Sequence, residues 1–189
     1  MEYQELLKQR RTIRLFQQRP VEETALVQLV DAARVASCAN NKQRLRYTVV
    51  RTPELVLEVL KHTRWAGLIH PLRTPEAGVT SPAAFIIVTT TENGLSESIC
   101  ADAGAALQSM EFAATDIGLG CCWMGAIDRE AIRELIGCGP IVYVAAVGYP
   151  AESPCSIDIP ETENCAYFLD GNGTLTVPKI RLQDILTWR

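Results

Sequence analysis

A chain of 189 residues is long enough for one well-buried domain and short for two. Its composition, 48% hydrophobic and 21% charged, is that of a globular protein and excludes wholesale disorder. Lys and Arg total 18 against 22 Asp and Glu, a net charge of −4, so the overall balance gives no reason to bind nucleic acid or an anionic membrane, and any bound anion needs a local cluster of cations.

The first residues, MEYQELLKQRR, predict an amphipathic helix over 2–10 (Tyr3, Leu6, Leu7), and their acidic groups and missing apolar core argue against a signal peptide. A second helix is expected over 22–36, with Glu22 and Glu23 in its first turn and Leu26, Leu29, Val30 and Ala33 on its inner face. A short strand over 47–51 precedes a helix from Pro53 to about Lys61. Residues 62–82 carry three prolines and two glycines with weak periodicity, which reads as loop or short helix. A buried strand over 83–90 follows. The longest helix should cover 98–117, where Ala103, Ala106, Leu107, Met110, Ala113, Ala114 and Ile117 recur every three or four residues. Such an alanine-rich stripe admits close approach by another helix, and Gly118 is a natural residue to end it.

A strand over 121–124, a helix over 128–137 and a strong strand over 141–147 complete the regular part. That last run is the longest apolar stretch and is far too short to cross a bilayer. The tail from 149 to 178 is rich in turn residues, including Gly171-Asn172-Gly173, and a last helical segment is expected over 182–188. With no repeat and no low-complexity linker, the expectation is one α+β domain over residues 1–189.

Seven cysteines form an odd set without C-x-x-C spacing, and His62 and His70 fall in no zinc pattern, so no metal site is expected. The cysteines read as reduced thiols of a cytoplasmic protein, although the adjacent Cys121 and Cys122 also allow a strained redox pair. No Ser-His-Asp set, H-E-x-x-H or obvious pair of catalytic carboxylates is present, so no side chain is named as catalytic.

The cluster Arg10-Arg11-Thr12-Ile13-Arg14 puts three guanidiniums and a hydroxyl where the first helix must end. Arginine forks suit phosphate oxygens, and Thr12 can add a donor. On its own such a cluster reads first as the ordinary basic end of a helix, since cations favour the negative end of the dipole. Likewise Asn40-Asn41 alone reads as a loop, Trp123 and Met124 as core, and Lys179 and Arg181 as a solvated face. Gly118-Leu119-Gly120 follows a helix and so is no dinucleotide fingerprint.

Taken together and in order, four blocks resemble the nitroreductase family. RRTIRLFQQRPV with DAARVA and SCANNKQ is similar to that family's R-R-S-x-R-x-F, P-V and A-A-R-x-A-P-S-x-x-N-x-Q. GLGCCWMGAID resembles G-L-G-x-C-W-I-G-G, and the terminal PKIRLQDILTWR resembles K-x-R-x-P-L-x-E-I-V-x-W. The unmatched parts are chiefly 55–82 and 150–176. The resemblance implies a nitroreductase-like α+β fold, a central and mostly antiparallel sheet flanked by helices, in a homodimer.

It also implies FMN as cofactor. Arg10, Arg11, Thr12 and Arg14 then surround the phosphate and ribityl chain, joined by Lys179 and Arg181 from the other end. Ser37, Cys38, Ala39 and Asn41 match the segment that reaches the flavin across the dimer interface. Trp123, Met124, Gly125 and Ala126 match the strand end facing the isoalloxazine, with a backbone N–H of Gly125 or Ala126 toward flavin N5. The implied activity is ping-pong electron transfer from NADH or NADPH to a small acceptor such as a nitroaromatic or quinone. Dehydrogenase, dehalogenase and flavin-cleaving relatives, and a non-enzymatic flavin-binding redox sensor, remain open alternatives. The chain departs from the pattern at Ser37, Cys38, Arg44, Leu45, Gln183 and Asp184, which bears on pocket shape and substrate.

Overall fold

The computed structural model describes residues 2–189. Its main sheet has four strands, β1 (Leu45–Val50), β2 (Ala84–Thr90), β3 (Gly120–Met124) and β4 (Ile141–Gly148), in the order β1-β2-β4-β3 with every pair antiparallel. Strand β2 is buried along its whole length, which explains why its sequence opens with a continuous apolar run, AFIIV, rather than an alternation.

Both faces of the sheet are covered. Ile86 and Val88 point to one face, where they meet Leu26, Leu29 and Ala33 of α2 (Glu23–Arg34) and Ala103, Ala106, Leu107 and Met110 of the long helix α4 (Glu97–Asp116). Phe85 and Ile87 point to the other, against Val56 and Val59 of α3 (Pro53–Lys61) and Ile132 of α5 (Arg129–Ile136). The two-residue period of a strand thus divides one sequence run between two cores. Each fully buried aliphatic side chain there contributes about 1.5–3 kcal/mol.

Local chemistry sets the helix ends. Ser96 Oγ accepts from the backbone N–H of Ile99 at 3.3 Å to start α4, and Asp128 caps α5 through Ala131 N–H at 3.1 Å. Gly118, with φ of +77°, turns the chain out of α4 into β3. The buried alanines of α4 pack on α2 and the sheet within this one chain, so they do not supply a dimer face. The helix that the stripe lets approach closely is therefore α2 of the same chain.

The short first helix α1 (Tyr3–Gln9) leads into a segment laid along β3: Thr12 bridges Cys121 in parallel, and Ile13 N–H donates to Cys121 O at 3.0 Å. Gly120 makes this possible, because a Cβ there would lie 2.6–2.8 Å from the Ile13 side chain.

A second sheet lies in the stretch expected to be only turns. It holds β5 (Cys155–Ile159), β6 (Phe168–Leu169) and β7 (Leu175–Ile180) in the order β5-β7-β6. Pro178 sits inside β7, which is why its sequence does not announce a strand. β6 pairs only with Leu175 and Thr176, so β7 is open on that side at Pro178, where a missing N–H is tolerated. The last helix, α6 (Leu182–Ile185), is a single turn, shorter than the segment expected over 182–188. No helix among the described residues is long and apolar enough to cross a membrane.

Candidate functional site

β3 is an edge strand, and the N-terminal segment covers its edge only at Cys121. Past that bridge a cleft of about 360 Å³ opens against Cys122, Trp123 and Met124. Because neighbouring residues of a strand alternate, Trp123 packs toward the α2 and α4 side and Met124 toward the α3 and α5 side, yet at this open edge both line the cleft. The Trp123 ring stands edge-on to Tyr143, with centroids 5.2 Å apart.

Arg10, Thr12 and Arg14 reach the same cleft from the N-terminal segment. Glu152 fixes that segment: its Oε1 accepts from Arg14 N–H at 2.6 Å and Leu15 N–H at 3.1 Å, while Oε2 pairs with Arg73 Nε at 2.9 Å. The Arg14 guanidinium also lies over the Tyr167 ring, 5.1 Å from its centroid. Arg10 Nη1 is 3.0 Å from Glu111 Oε2, and Glu111, on α4, is only 3% exposed. Burial pushes the Glu111 carboxyl above its ordinary value, against the opposing effect of Arg10 and Trp123.

Sequence reasoning missed six residues here: Arg64, Trp65, Ala66, Gln108, Glu111 and Cys122. Gln108 and Glu111 carried a signal, two polar side chains three apart on an otherwise alanine-rich helix. Arg64 and Trp65 fall in the stretch read as loop, where pattern carries no information about position. Arg64 lies at the junction with a second cleft, of about 610 Å³, lined by Gly125, Ala126, Lys61, His62 and Arg129. Its backbone N–H donates to Ala126 O at 2.9 Å, tying the loop to the end of β3.

The remaining candidates lie elsewhere in the chain. Arg11 turns away from the cleft, donating to Arg10 O at 2.6 Å and to Ser156 Oγ on β5, and burial lowers its pKa. Lys179 sits opposite Asp158 in the register of β5 and β7, and Arg181 leads into α6; neither lines the cleft. Ser37 and Cys38 line a separate cavity of about 300 Å³ between α2 and β1, and Asn41 is exposed. Cys121 and Cys122 are buried free thiols; burial pushes Cys122 up to about 12 and Cys121 well above its ordinary value. That disfavours the thiolate a redox pair requires. Among the described residues no group of His, Cys, Asp and Glu could hold a metal.

Three arginines against one carboxylate make the cleft locally positive in an acidic chain. The Gln108 Nε2 amide is buried at its wall without a hydrogen-bond partner. A buried donor left unmatched is costly, so it marks a place where a ligand acceptor fits. The arrangement suits an anionic, partly apolar ligand.

Comparison with known proteins places the chain in a family. A protein from Methanothermobacter thermautotrophicus, named as an NADH dehydrogenase/NAD(P)H nitroreductase, is 30% identical over 170 residues, 84% of this chain and 83% of its own. A like-named protein from Archaeoglobus fulgidus is 27% identical over 154 residues, 76% of this chain and 82% of its own. Among solved structures, a nitroreductase from Desulfovibrio desulfuricans in complex with FMN superposes with a TM-score of 0.68 at 25% identity, covering 86% of this chain and 94% of its own. A nitroreductase family protein from Clostridium novyi shares the fold with a TM-score of 0.69 at 23% identity, covering 81% and 87%. With residues 7–149 matching the Nitroreductase family itself, the chain belongs to that family.

Proposed function

We propose that this protein is an FMN-dependent oxidoreductase that takes electrons from NADH or NADPH and delivers them to a small acceptor, such as a nitroaromatic or a quinone. The observation that carries the reading is the cleft at the open edge of β3, where three arginines and the unpartnered Gln108 amide converge beside Trp123 and Met124. Family membership and the FMN complex of the Desulfovibrio relative support it.

When bound, FMN supplies a two-electron centre that accepts hydride and passes electrons on, which the protein's side chains cannot do. The chain's own contribution is to bind and orient. Arg10, Thr12 and Arg14 hold the phosphate end, with Gln108 offering an amide donor to a polar edge. Trp123 and Met124 form the apolar wall. The adjoining basic cleft beside Gly125 and Ala126 receives the nicotinamide donor and then the acceptor, in ping-pong order. Lys179 and Arg181 join the phosphate from the other end of the chain, and Ser37, Cys38, Ala39 and Asn41 serve a partner's flavin in a homodimer. The seven free thiols fit a cytoplasmic enzyme.

The visible spectrum of the purified protein tests this. The expected result is oxidised flavin absorption, present on isolation or after adding FMN, that bleaches under anaerobic NADH or NADPH and returns with a quinone or nitroaromatic. A protein that takes up no FMN overturns the reading. One whose flavin stays oxidised under both nicotinamides is a sensor, or takes its electrons from another donor.

A further inference from the structure

The loop from Ser37 to Gln43 leaves α2 and enters β1 through unusual backbone. Asn40 and Asn41 have φ of +52° and Gln43 has +48°. Asparagine tolerates such angles through its short polar side chain, but glutamine adopts them rarely, so the shape of the loop depends on what fixes its two ends.

One carboxylate does the holding. Asp102 of α4 is 6% exposed, and its Oδ1 accepts from Ala39 N–H at 2.8 Å. Its Oδ2 accepts from Arg44 Nη2 at 2.8 Å, so the same side chain grips both ends of the loop. Arg44, itself 7% exposed, is steadied by Ser98 Oγ at 3.2 Å and Glu92 Oε1 at 3.3 Å. Burial alone pushes the Asp102 carboxyl up, but the bonds from Arg44 and Ala39 outweigh it and the net shift is downward, so the group is ionised at neutral pH. The same helix carries Gln108 into the flavin cleft, six residues or about 9 Å further along its axis.

We propose that Asp102 is a positioning residue, which by tethering Ala39 N–H sets the segment 37–41 in the shape that completes the flavin site of a second copy of the chain. Arg44 orients the carboxylate. The proposal rests on the FMN reading above and on the assignment of that segment to the flavin.

Two double variants separate tethering from stability. In R44M/D102N the ion pair is gone, but the amide oxygen still accepts from Ala39 N–H. In R44M/D102L the acceptor is gone as well. Replacing a buried ion pair by apolar groups commonly leaves stability unharmed, so R44M/D102L is expected to fold, and R44M/D102N, which removes both charges together, leaves no buried charge unpaired. FMN affinity in R44M/D102N should stay within about threefold of wild type, while R44M/D102L loses about tenfold or more. Amide hydrogen exchange of the 37–43 segment, measured on each variant as purified, should speed up only in the leucine variant; equal exchange in both overturns the tether even if the leucine variant has lost thermal stability. Equal FMN affinity in the two overturns it as well. A wild-type protein that binds no FMN overturns instead the flavin reading, and with it the ligand assigned to the loop.

Discussion

Arg10 enters the candidate cleft already paired, its Nη1 held 3.0 Å from the buried Glu111 Oε2. A phosphate arriving at Arg10 therefore meets a guanidinium shared with a carboxylate. Because the folded chain raises the Glu111 pKa above its ordinary 4.5, the native state holds that proton more tightly than the unfolded chain does. The stabilising contribution is present at low pH and is lost as pH rises through the range above 4.5. Glu111→Gln, which keeps the shape without the charge, should match wild type at about pH 4 and gain in relative melting temperature toward pH 8. It should also bind FMN roughly threefold more tightly at neutral pH, about 0.6 kcal/mol, because Arg10 is released. Thermal unfolding across that pH range and an FMN titration check both effects. A relative Tm that falls with rising pH contradicts the first.

The geometry also ranks the arginines. Arg10 and Arg14 line the cleft, whereas Arg11 is bound to Ser156 and the Arg10 carbonyl. Arg10→Ala and Arg14→Ala should each lower FMN affinity by about tenfold or more, that is about 1.4 kcal/mol. Arg11→Ala should cost less than about threefold in affinity and lower the melting temperature instead, since it unties the N-terminal segment from β5. Riboflavin, which lacks the phosphate, should bind all three variants about as weakly as wild type. Equal FMN losses in all three would falsify this ranking.

Those contrasts show where the sequence was informative. Elements with strong periodicity or clear punctuation were legible almost to the residue. Pro53 opens α3, the alanine-rich run is α4, and Gly118 ends it. The second sheet was not, because Pro178 interrupts β7 and β6 is only two residues long. Within the site, Arg10, Thr12, Arg14, Trp123 and Met124 line one cleft. Arg64 and Glu111 did not stand out, since only long-range packing decides that a loop residue and a helix residue share one wall. Distance along the chain equally hides that Arg11 turns away while its neighbours do not.

The thiols give a check that needs no ligand. Cys155 and Cys165 are exposed, whereas Cys121 and Cys122 are buried with raised pKa values. An aromatic disulfide reagent at mildly alkaline pH should therefore label Cys155 and Cys165 quickly. Cys121 and Cys122 should react only on unfolding. Rapid labelling of either buried thiol in the native protein, followed by peptide mapping, contradicts the packing of β3.

Ser37 and Asn41 present the remaining question, because in a single chain they do not line the cleft at β3. The flavin they serve is then another chain's, and cofactor binding is linked to association. Beyond Arg181 the chain also leaves Leu182, Ile185 and Trp188 exposed, Trp188 by 85%, although apolar groups this clustered are ordinarily covered. Light scattering should therefore find a dimer at micromolar concentration. FMN affinity should fall when the protein is diluted far enough for the dimer to separate, and Trp188→Ala together with Leu182→Ser should shift that separation to higher concentration. A protein that is monomeric yet retains its full FMN affinity contradicts the linkage, and it leaves the cleft at β3 as a complete site within one chain.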